Sequence, residues 1–139
     1  MAMVDVRFAS GTALALMGLL PPQARVRGQA WFDGQPLLGL DEAGLNRLRG
    51  RRLAMVFQDP MSSLNPVLDV ATQICEPLMK HMGMSRRQAL VRAEELLHEV
   101  GIPDPKRRLR SYPHEMSGGQ QQRVMIALAL SCGPKLLIA

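Results

Sequence analysis

Two short apolar runs constrain the fold of this chain more than any other feature of its sequence. Residues 53–57 (LAMVF) and 136–139 (LLIA) consist of hydrophobic side chains throughout. Runs of this length are typical of strands that are buried on both faces of a parallel sheet. Residues 53–57 end abruptly in the polar segment QDPMSSLNP. Because loops that leave buried strands usually carry the chemistry of α/β folds, we expect an α/β fold with functional residues near this loop.

The clearest helix signals lie at residues 85–103. Ser85 and Gln88 have the spacing of a capping box, in which each residue binds the backbone N–H of the other. Gly101, an apolar residue and then Pro103 form a typical helix stop. The apolar residues that repeat with the helical period between these ends are Ala89, Leu90, Ala93, Leu96, Leu97 and Val100.

Two more helices are predicted on either side of this one. Asp69 is a suitable N-cap for a helix through about residue 80, which Pro77 is expected to kink or divide into two pieces. Ser117 and Gln120 form a second capping box, and the helix that they open ends before Gly133.

The first third of the chain carries weaker signals. The apolar stretch near its start predicts a helix that begins near Thr12 and ends before Pro21. We do not expect a secretory leader, because an acidic residue lies where a leader is basic and no small-residue cleavage site follows. Residues 26–32 have a strand-like pattern, and the dipeptide Asp33-Gly34 predicts a hairpin turn after them.

The composition is typical of one globular domain. The 139 residues are 47% hydrophobic and 21% charged, which excludes a disordered or collagen-like chain. No apolar run approaches the roughly 18 residues that a membrane span needs. Cys75 and Cys132 do not have metal-ligand spacing, so we expect a reducing compartment in which they are small core residues.

The net charge of +5 is compatible with a nucleic acid, a membrane surface, a phosphate ligand or an ordinary solvated basic surface. For base stacking, the chain offers only Trp31, Tyr112 and three phenylalanines. No recognised nucleic-acid motif is present, so we expect no nucleic-acid partner.

Two sites have residue types that suit phosphate chemistry. Ser117-Gly118-Gly119-Gln120 lies at a predicted helix N-terminus, where unpaired N–H groups and the helix dipole favour an anion, and glycines allow it close approach. Taken alone, the same residues are better explained as a capped helix after a glycine turn. Gln58 follows the apolar run at 53–57, where an amide can contact a metal-bound water, although such residues also serve as ordinary loop hydrogen-bonders.

Considered together and in this order, the two segments resemble a known family. MVFQDPMSSLNPVL (residues 55–68) and YPHEMSGGQQQRVMIALAL (residues 112–130) are similar to the ATP-binding cassette (ABC) ATPases. The sequences of both segments are most similar to the ATPase subunits of oligopeptide and dipeptide importers. The resemblance covers nearly the whole chain and implies a partial P-loop NTPase core with an α-helical signature subdomain, in agreement with the α/β prediction.

The resemblance implies a role for each matching residue. Gln58 corresponds to the glutamine of the Q-loop, which contacts magnesium or the attacking water, so it is the candidate catalytic residue and metal contact. Residues 116–120 correspond to the signature motif, with Met116 where leucine is usual. That motif binds the γ-phosphate of ATP held by the opposite subunit. The implied nucleotide contacts in trans are Ser117, Gly118, Gly119 and Gln120.

The resemblance also implies partners, cofactors and a location. ATP and Mg²⁺ are the expected cofactors, a second ABC ATPase subunit is expected in a head-to-tail dimer, and membrane permease subunits would dock on the helical subdomain. The chain would be peripheral, at the cytoplasmic face of the inner or plasma membrane. The implied divisions are a partial nucleotide-binding core over 1–66, the helical subdomain over 67–115, and the signature helix with the start of the Walker B strand over 116–139.

The sequence departs from the family pattern near both ends. A phosphate-binding loop uses a lysine to neutralise charge on the nucleotide, and residues 1–20 contain none. The apolar run at 136–139 resembles the strand that, in the family, precedes the magnesium-binding Asp and catalytic Glu, neither of which this sequence includes. We therefore expect an incomplete importer subunit that alone neither binds MgATP well nor hydrolyses it, and whose strand edges promote self-association. Whether it is an enzyme stays open, and the alternative is an inactive cassette that acts only as a protein-interaction module.

Overall fold

The computed structural model describes residues 2–3, 10–49, 51–56 and 63–138. In chain order its elements are β1 (Ala2–Met3), α1 (Ser10–Leu16), β2 (Trp31–Phe32), β3 (Gln35–Pro36), α2 (Glu42–Leu48), β4 (Leu53–Met55), α3 (Val70–Met82), α4 (Arg86–Glu99), α5 (Pro105–Arg108), a 3-10 turn (Pro113–Glu115), α6 (Gly118–Leu130) and β5 (Leu136–Ile138).

The two apolar runs form neighbouring parallel strands. The sheet has the order β1-β5-β4, and β5 pairs in parallel with both neighbours. Leu53 lies opposite Leu136, and Met55 lies opposite Ile138. The predicted strands of a parallel sheet are therefore confirmed, and the structure adds that they pair with each other. Residues 57 and 139 of the two runs lie outside the described ranges.

The predicted hairpin turn is also confirmed, with shorter strands than the pattern suggested. β2 and β3 pair antiparallel around Asp33 and Gly34, whose φ angles are 51° and 78°. Positive φ at both central residues is the requirement of a type I′ turn. The carboxylate of Asp33 forms ion pairs with Arg52 and with Lys135, the latter at 2.9 Å from Nζ to Oδ2. Arg52 and Lys135 immediately precede the parallel strands β4 and β5, so these pairs connect the hairpin to one end of the sheet.

Helix α1 ends at Leu16, well before the proline pair that was expected to stop it. The reason is a glycine stop at Gly18, which has φ 65°. The N–H of Gly18 donates to the carbonyl of Ala15 at 3.1 Å and that of Leu19 to the carbonyl of Leu14 at 2.8 Å, which is the Schellman arrangement. Arg49 adds hydrogen bonds from Nε and Nη2 to the carbonyl oxygen of Met17, at 3.1 and 2.7 Å. This local signal was missed in the sequence prediction, which placed the end at the prolines instead.

Helix α2 was not predicted from the sequence. Asp41 caps it by accepting a hydrogen bond from the backbone N–H of Gly44 at 2.7 Å. Leu45 and Leu48, on one side of the helix, are buried. These are ordinary helix signals, but the segment is short and contains only two core positions.

Helix α3 continues through Pro77 as a single element, so of the two outcomes expected of this proline, a kink or a division, the division does not occur. An internal proline costs a helix about 3 kcal/mol. Ile74, Cys75 and Leu78 on either side of it are fully buried, and this packing outweighs the local penalty. The predicted cap is confirmed, because Asp69 Oδ1 accepts from the backbone N–H of Thr72 at 2.7 Å.

Helix α4 has both predicted ends. At the start, Ser85 and Gln88 form the capping box. At the end, Gly101 has φ 74°, and the N–H of Ile102 donates to the carbonyl of Leu97 at 2.9 Å. Together with the bond from the Gly101 N–H to His98, this is the Schellman arrangement that a glycine stop predicts.

The buried apolar residues form two clusters. The helical cluster, built mainly from α3, α4 and α6, consists of Leu64, Val70, Ala71, Ile74, Cys75, Leu78, Ala89, Ala93, Leu96, Leu97, Ile102, Leu109, Met116, Val124, Met125 and Ala127. The sheet cluster consists of Met17, Leu37, Leu48, Leu53 and Ile138. Cys75 and Cys132 are both buried free thiols, which confirms their expected place in the core. Over the described ranges, no helix has both the length and the apolar character needed to cross a membrane.

Candidate functional site

The SGGQ segment forms the first turn of α6, as its capping pattern predicts. The hydroxyl oxygen of Ser117 accepts a hydrogen bond from the backbone N–H of Gln120 at 3.3 Å. In return, the side-chain oxygen of Gln120 accepts from the N–H of Ser117 at 3.2 Å. Because the Ser117 oxygen is an acceptor in this box, its O–H proton is left to be donated to another group.

The two glycines of this turn have no role in the packing of the chain itself. Gly118 and Gly119 are exposed and helical, and neither has the positive φ that would require glycine. A Cβ built on either one would meet no heavy atom within 4 Å, apart from immediate neighbours. Glycine in place of alanine costs a helix up to about 1 kcal/mol. The two positions therefore leave the backbone open to an external group without serving the fold.

The electrostatics of this turn favour an anion. The first N–H groups of a helix lack intrahelical acceptors, and they carry the positive end of the helix dipole. The first turn of α6 contains no acidic side chain that would occupy these groups. A phosphate oxygen would thus find the Ser117 hydroxyl and the N–H groups of Gly118 and Gly119 on one exposed surface.

The segment before the turn is held rigidly. Residues 113–115 form the 3-10 turn, and the carboxylate of Glu115 accepts from the N–H of Tyr112 at 2.7 Å. The Tyr112 ring stacks on His114 with 5.9 Å between centroids, so this histidine packs beside the tyrosine. Met116 is buried in the helical cluster. From α6, the buried side chain of Gln121 reaches back and donates from Nε2 to the carbonyl oxygens of Pro113 and Met116.

Gln58, the predicted catalytic residue and metal contact, lies outside the described residues, and so do Asp59 and Pro60. Its distance from Ser117 is therefore not part of the described geometry. The turn that follows is fixed by Gln73 of α3, whose Oε1 accepts from the N–H of Asn65 at 2.8 Å. Its Nε2 donates to the carbonyls of Asn65 at 3.0 Å and Leu68 at 2.9 Å.

Sequence reasoning missed Gln73 and Gln121. Each is a buried polar residue on a helix face that is otherwise apolar. Gln121 precedes Val124 and Met125 by three and four positions, so it lies on the core side of α6. A glutamine at a core position of the helical period was the available signal.

The described residues alone do not form a magnesium site. No group of three or more His, Cys, Asp or Glu side chains lies close enough to hold a metal ion within them. The signature turn, formed by residues 117–120 at the start of α6, fits a nucleotide phosphate instead, because it offers hydrogen-bond donors and an exposed backbone. Thr12 is exposed on the first turn of α1, and residues 4–9 before that helix lie outside the described part of the chain.

The sequence matches a known protein family over most of its length. The profile of the ABC transporter family matches residues 10–139. The chain is 52% identical over 130 residues to the oligopeptide transport ATP-binding protein OppD of Salmonella typhimurium, a match that covers 94% of this chain and 39% of the relative. It is 49% identical over 131 residues to the dipeptide transport ATP-binding protein DppD of Escherichia coli, covering 94% and 40%. The chain thus spans about two fifths of the length of these curated relatives.

A solved structure of a cassette protein has a fold similar to that of this chain. The ATP-binding cassette MJ0796, as a post-hydrolysis dimer bound to ADP and Pi, superposes with a TM-score of 0.77 at 29% identity. The match covers 92% of this chain and 53% of the cassette. This likeness confirms the predicted fold class, a partial nucleotide-binding core with a helical subdomain.

Proposed function

This chain belongs to the ABC transporter family, and on that premise we propose that it is part of the ATP-binding subunit of an importer that couples ATP hydrolysis to uptake. The substrates that fit best are oligopeptides or dipeptides, because the similar proteins are named for the transport of these molecules. The proposed location is the cytoplasmic face of the membrane, where the helical subdomain over residues 67–115 would contact permease subunits.

The observation that carries this proposal is the pair of helical glycines in open space at the start of α6. Ser117, Gly118 and Gly119 would bind the γ-phosphate of ATP that is held by a second cassette, with the hydroxyl and two N–H groups as donors. Gln120 keeps these donors in place through the capping box and borders the same surface. The dimeric state of the MJ0796 cassette supports an arrangement with two subunits.

The proposed cofactors are ATP and Mg²⁺, with Gln58 as the residue of this chain directed at the metal or its water. The metal neutralises charge on the transferred phosphoryl group when it is bound. The residues of this chain contribute binding and orientation. The division into a core over 1–66, a helical subdomain over 67–115 and a signature segment over 116–139 is part of the same proposal.

The test uses association in trans, because the signature turn is proposed to bind nucleotide on the opposite subunit. The protein is mixed with the Salmonella typhimurium OppD protein in a hydrolysis-resistant ATP analogue, and complex formation is followed by light scattering. Gly119→Asp places a carboxylate where the phosphate would bind, so we expect nucleotide-dependent association to be lost. The same substitution favours the positive end of the helix by about 0.3–1 kcal/mol, so stability should not fall.

Gln122→Asp is the matched control, because it adds the same charge to an exposed position of the same helix. Its charge lies nearly one turn beyond the donors and is not placed where the phosphate would bind, so it should weaken association less than Gly119→Asp does and should not abolish it. Nucleotide-dependent association that survives Gly119→Asp would contradict the proposed role of the turn. Association that is equal with and without nucleotide would favour the alternative function, a protein-interaction module.

A further inference from the structure

Gln121 makes contacts that are directed entirely at the backbone before the signature turn. Its side chain is only 5% exposed. Nε2 donates to the carbonyl oxygen of Pro113 at 2.7 Å and to that of Met116 at 3.2 Å. Both carbonyls belong to the four residues that immediately precede Ser117. One buried amide therefore connects α6 to the segment that leads into its own N-terminus.

Core packing does not explain an amide at this position. Val124 and Met125, one turn further along the same face, are apolar and buried. A buried amide costs free energy unless its polar atoms are bonded, and Oε1 of Gln121 has no hydrogen-bond partner among the described residues. A methionine would fill the same space without that cost. The donor end of the amide must therefore provide something that an apolar side chain would not.

We infer that Gln121 is the positioning residue of the signature turn. By holding residues 113–116 against α6, its amide fixes the direction in which the chain enters the helix. That direction determines where the Ser117 hydroxyl and the N–H groups of Gly118 and Gly119 point. Donors that are fixed before a ligand arrives bind it more tightly, because less conformational entropy is lost on binding. The role of Gln121 in nucleotide binding rests on the proposed function, whereas its role in holding residues 113–116 against α6 does not.

The structural part is tested by amide hydrogen exchange in Gln121→Met and Gln121→Glu. Methionine keeps the volume and removes the donor, whereas a carboxylate faces two carbonyl oxygens and repels them. The informative amides are those of Glu115 and Met116, which are bonded inside the 3-10 turn, and that of Ser117, which is bonded to Gln120. For Gln121→Met we expect their exchange to accelerate about tenfold or more, because the two hydrogen bonds from Nε2 are lost, and to accelerate further for Gln121→Glu.

Two comparisons separate positioning from general destabilisation. The amides in the body of α6, such as those of Val124 and Met125, should keep their protection. Gln122→Met and Gln122→Glu, made at the exposed neighbour, should leave exchange at residues 115–117 unchanged. Acceleration that is uniform along α6, or absent at residues 115–117, would overturn the inference and make Gln121 a packing residue.

The functional part is tested with the OppD association assay. Gln121→Met should weaken nucleotide-dependent association about tenfold while the midpoint of urea unfolding stays near that of Gln122→Met. Unchanged association despite faster exchange at residues 115–117 would overturn the role in nucleotide binding. If the unsubstituted protein does not associate in a nucleotide-dependent way, the proposed function fails, whereas the exchange data still decide whether Gln121 positions the turn.

Discussion

Cys75 shows how burial controls the chemistry of a single side chain in this protein. The residue is fully buried in α3, and desolvation raises the pKa of its thiol above the ordinary value. Arg86 lowers this pKa and Asp69 raises it, both by smaller electrostatic effects. The thiol is therefore held in its neutral form, and we assign it a place in the core and no reactivity.

A pH dependence of stability follows from this shift. Because the folded-state pKa is raised, the stabilisation is fully present below the unfolded-state pKa and is lost as pH rises through the folded-state value. We expect the free energy of unfolding of the wild type to fall more steeply than that of Cys75→Ala once the pH rises above the ordinary thiol pKa of about 8.5–9, and to follow it in parallel at lower pH. Urea unfolding at several pH values measures both slopes, and the difference isolates Cys75 from the lysines and Tyr112. Parallel slopes above the ordinary thiol pKa would contradict the assignment.

At the scale of elements, two glycines at helix ends provide a matched pair. Gly83 follows α3 and Gly101 follows α4, and their φ angles are 65° and 74°. A Cβ at Gly83 would meet nothing within 4 Å, whereas one at Gly101 would lie 2.6 Å from Nη1 of Arg123. That guanidinium donates to the carbonyls of Val100 at 3.2 Å and Gly101 at 3.0 Å, and so connects α6 to the end of α4.

The two alanine substitutions should therefore differ. Gly83→Ala has only the left-handed backbone to accommodate, which costs about 1–2 kcal/mol. Gly101→Ala has the same backbone cost and also displaces Arg123, so we expect an additional loss of about 1 kcal/mol or more. Urea unfolding of the two variants gives the comparison directly. In an Arg123→Ala background the difference should disappear, and its persistence would show that the arginine contact is not the cause.

The same elements show what local sequence determines. The capping boxes at Ser85 and Ser117 and the hairpin turn at Asp33 were predicted because their signals are local and each has a direct backbone partner. The end of α1 was placed too far along the chain because the glycine stop at Gly18, a local signal, was missed. The continuity of α3 was left open by the sequence because tertiary contacts decide it, and buried neighbours keep Pro77 inside a single helix.

In the candidate site, too, some residues could be predicted from the sequence and others could not. Ser117, Gly118, Gly119 and Gln120 were predicted from their motif, and the structure places them on one helical turn. Gln73 and Gln121, which hold the adjoining segments, were not predicted. Their partners are backbone groups, and no residue pattern identifies which backbone group will lie beside a buried amide. Sequence reasoning thus identified the exposed residues that we propose as ligand contacts but missed the buried residues that hold the adjoining segments in place.

At the scale of the whole molecule, the helical cluster and the sheet cluster are expected to differ in stability. The helical cluster is larger, and most of the side chains that are completely buried belong to it. The sheet cluster is formed by five buried residues, each retaining slight exposure. Local unfolding free energies rise with buried apolar contacts. Amides of the helical cluster should therefore exchange only when the whole protein unfolds. Amides of the sheet should exchange through a smaller opening reaction that has a lower free energy.

Two leucine truncations test this division. Leu97, in α4, is completely buried in the helical cluster, and Leu48, in α2, is 5% exposed in the sheet cluster. Leucine-to-alanine changes at such positions typically cost about 2–5 kcal/mol. Leu48→Ala should lower the exchange free energy of sheet amides, such as that of Val56 bonded to Ile138, and should lower that of amides in α4 and α6 by a similar amount, because global opening includes opening of the sheet cluster. Leu97→Ala should lower the exchange free energy of amides in α4 and α6 only, because Leu97 stays buried when the sheet cluster opens alone. If Leu97→Ala lowered both sets equally, the two clusters would form one cooperative unit and the proposed division would be wrong.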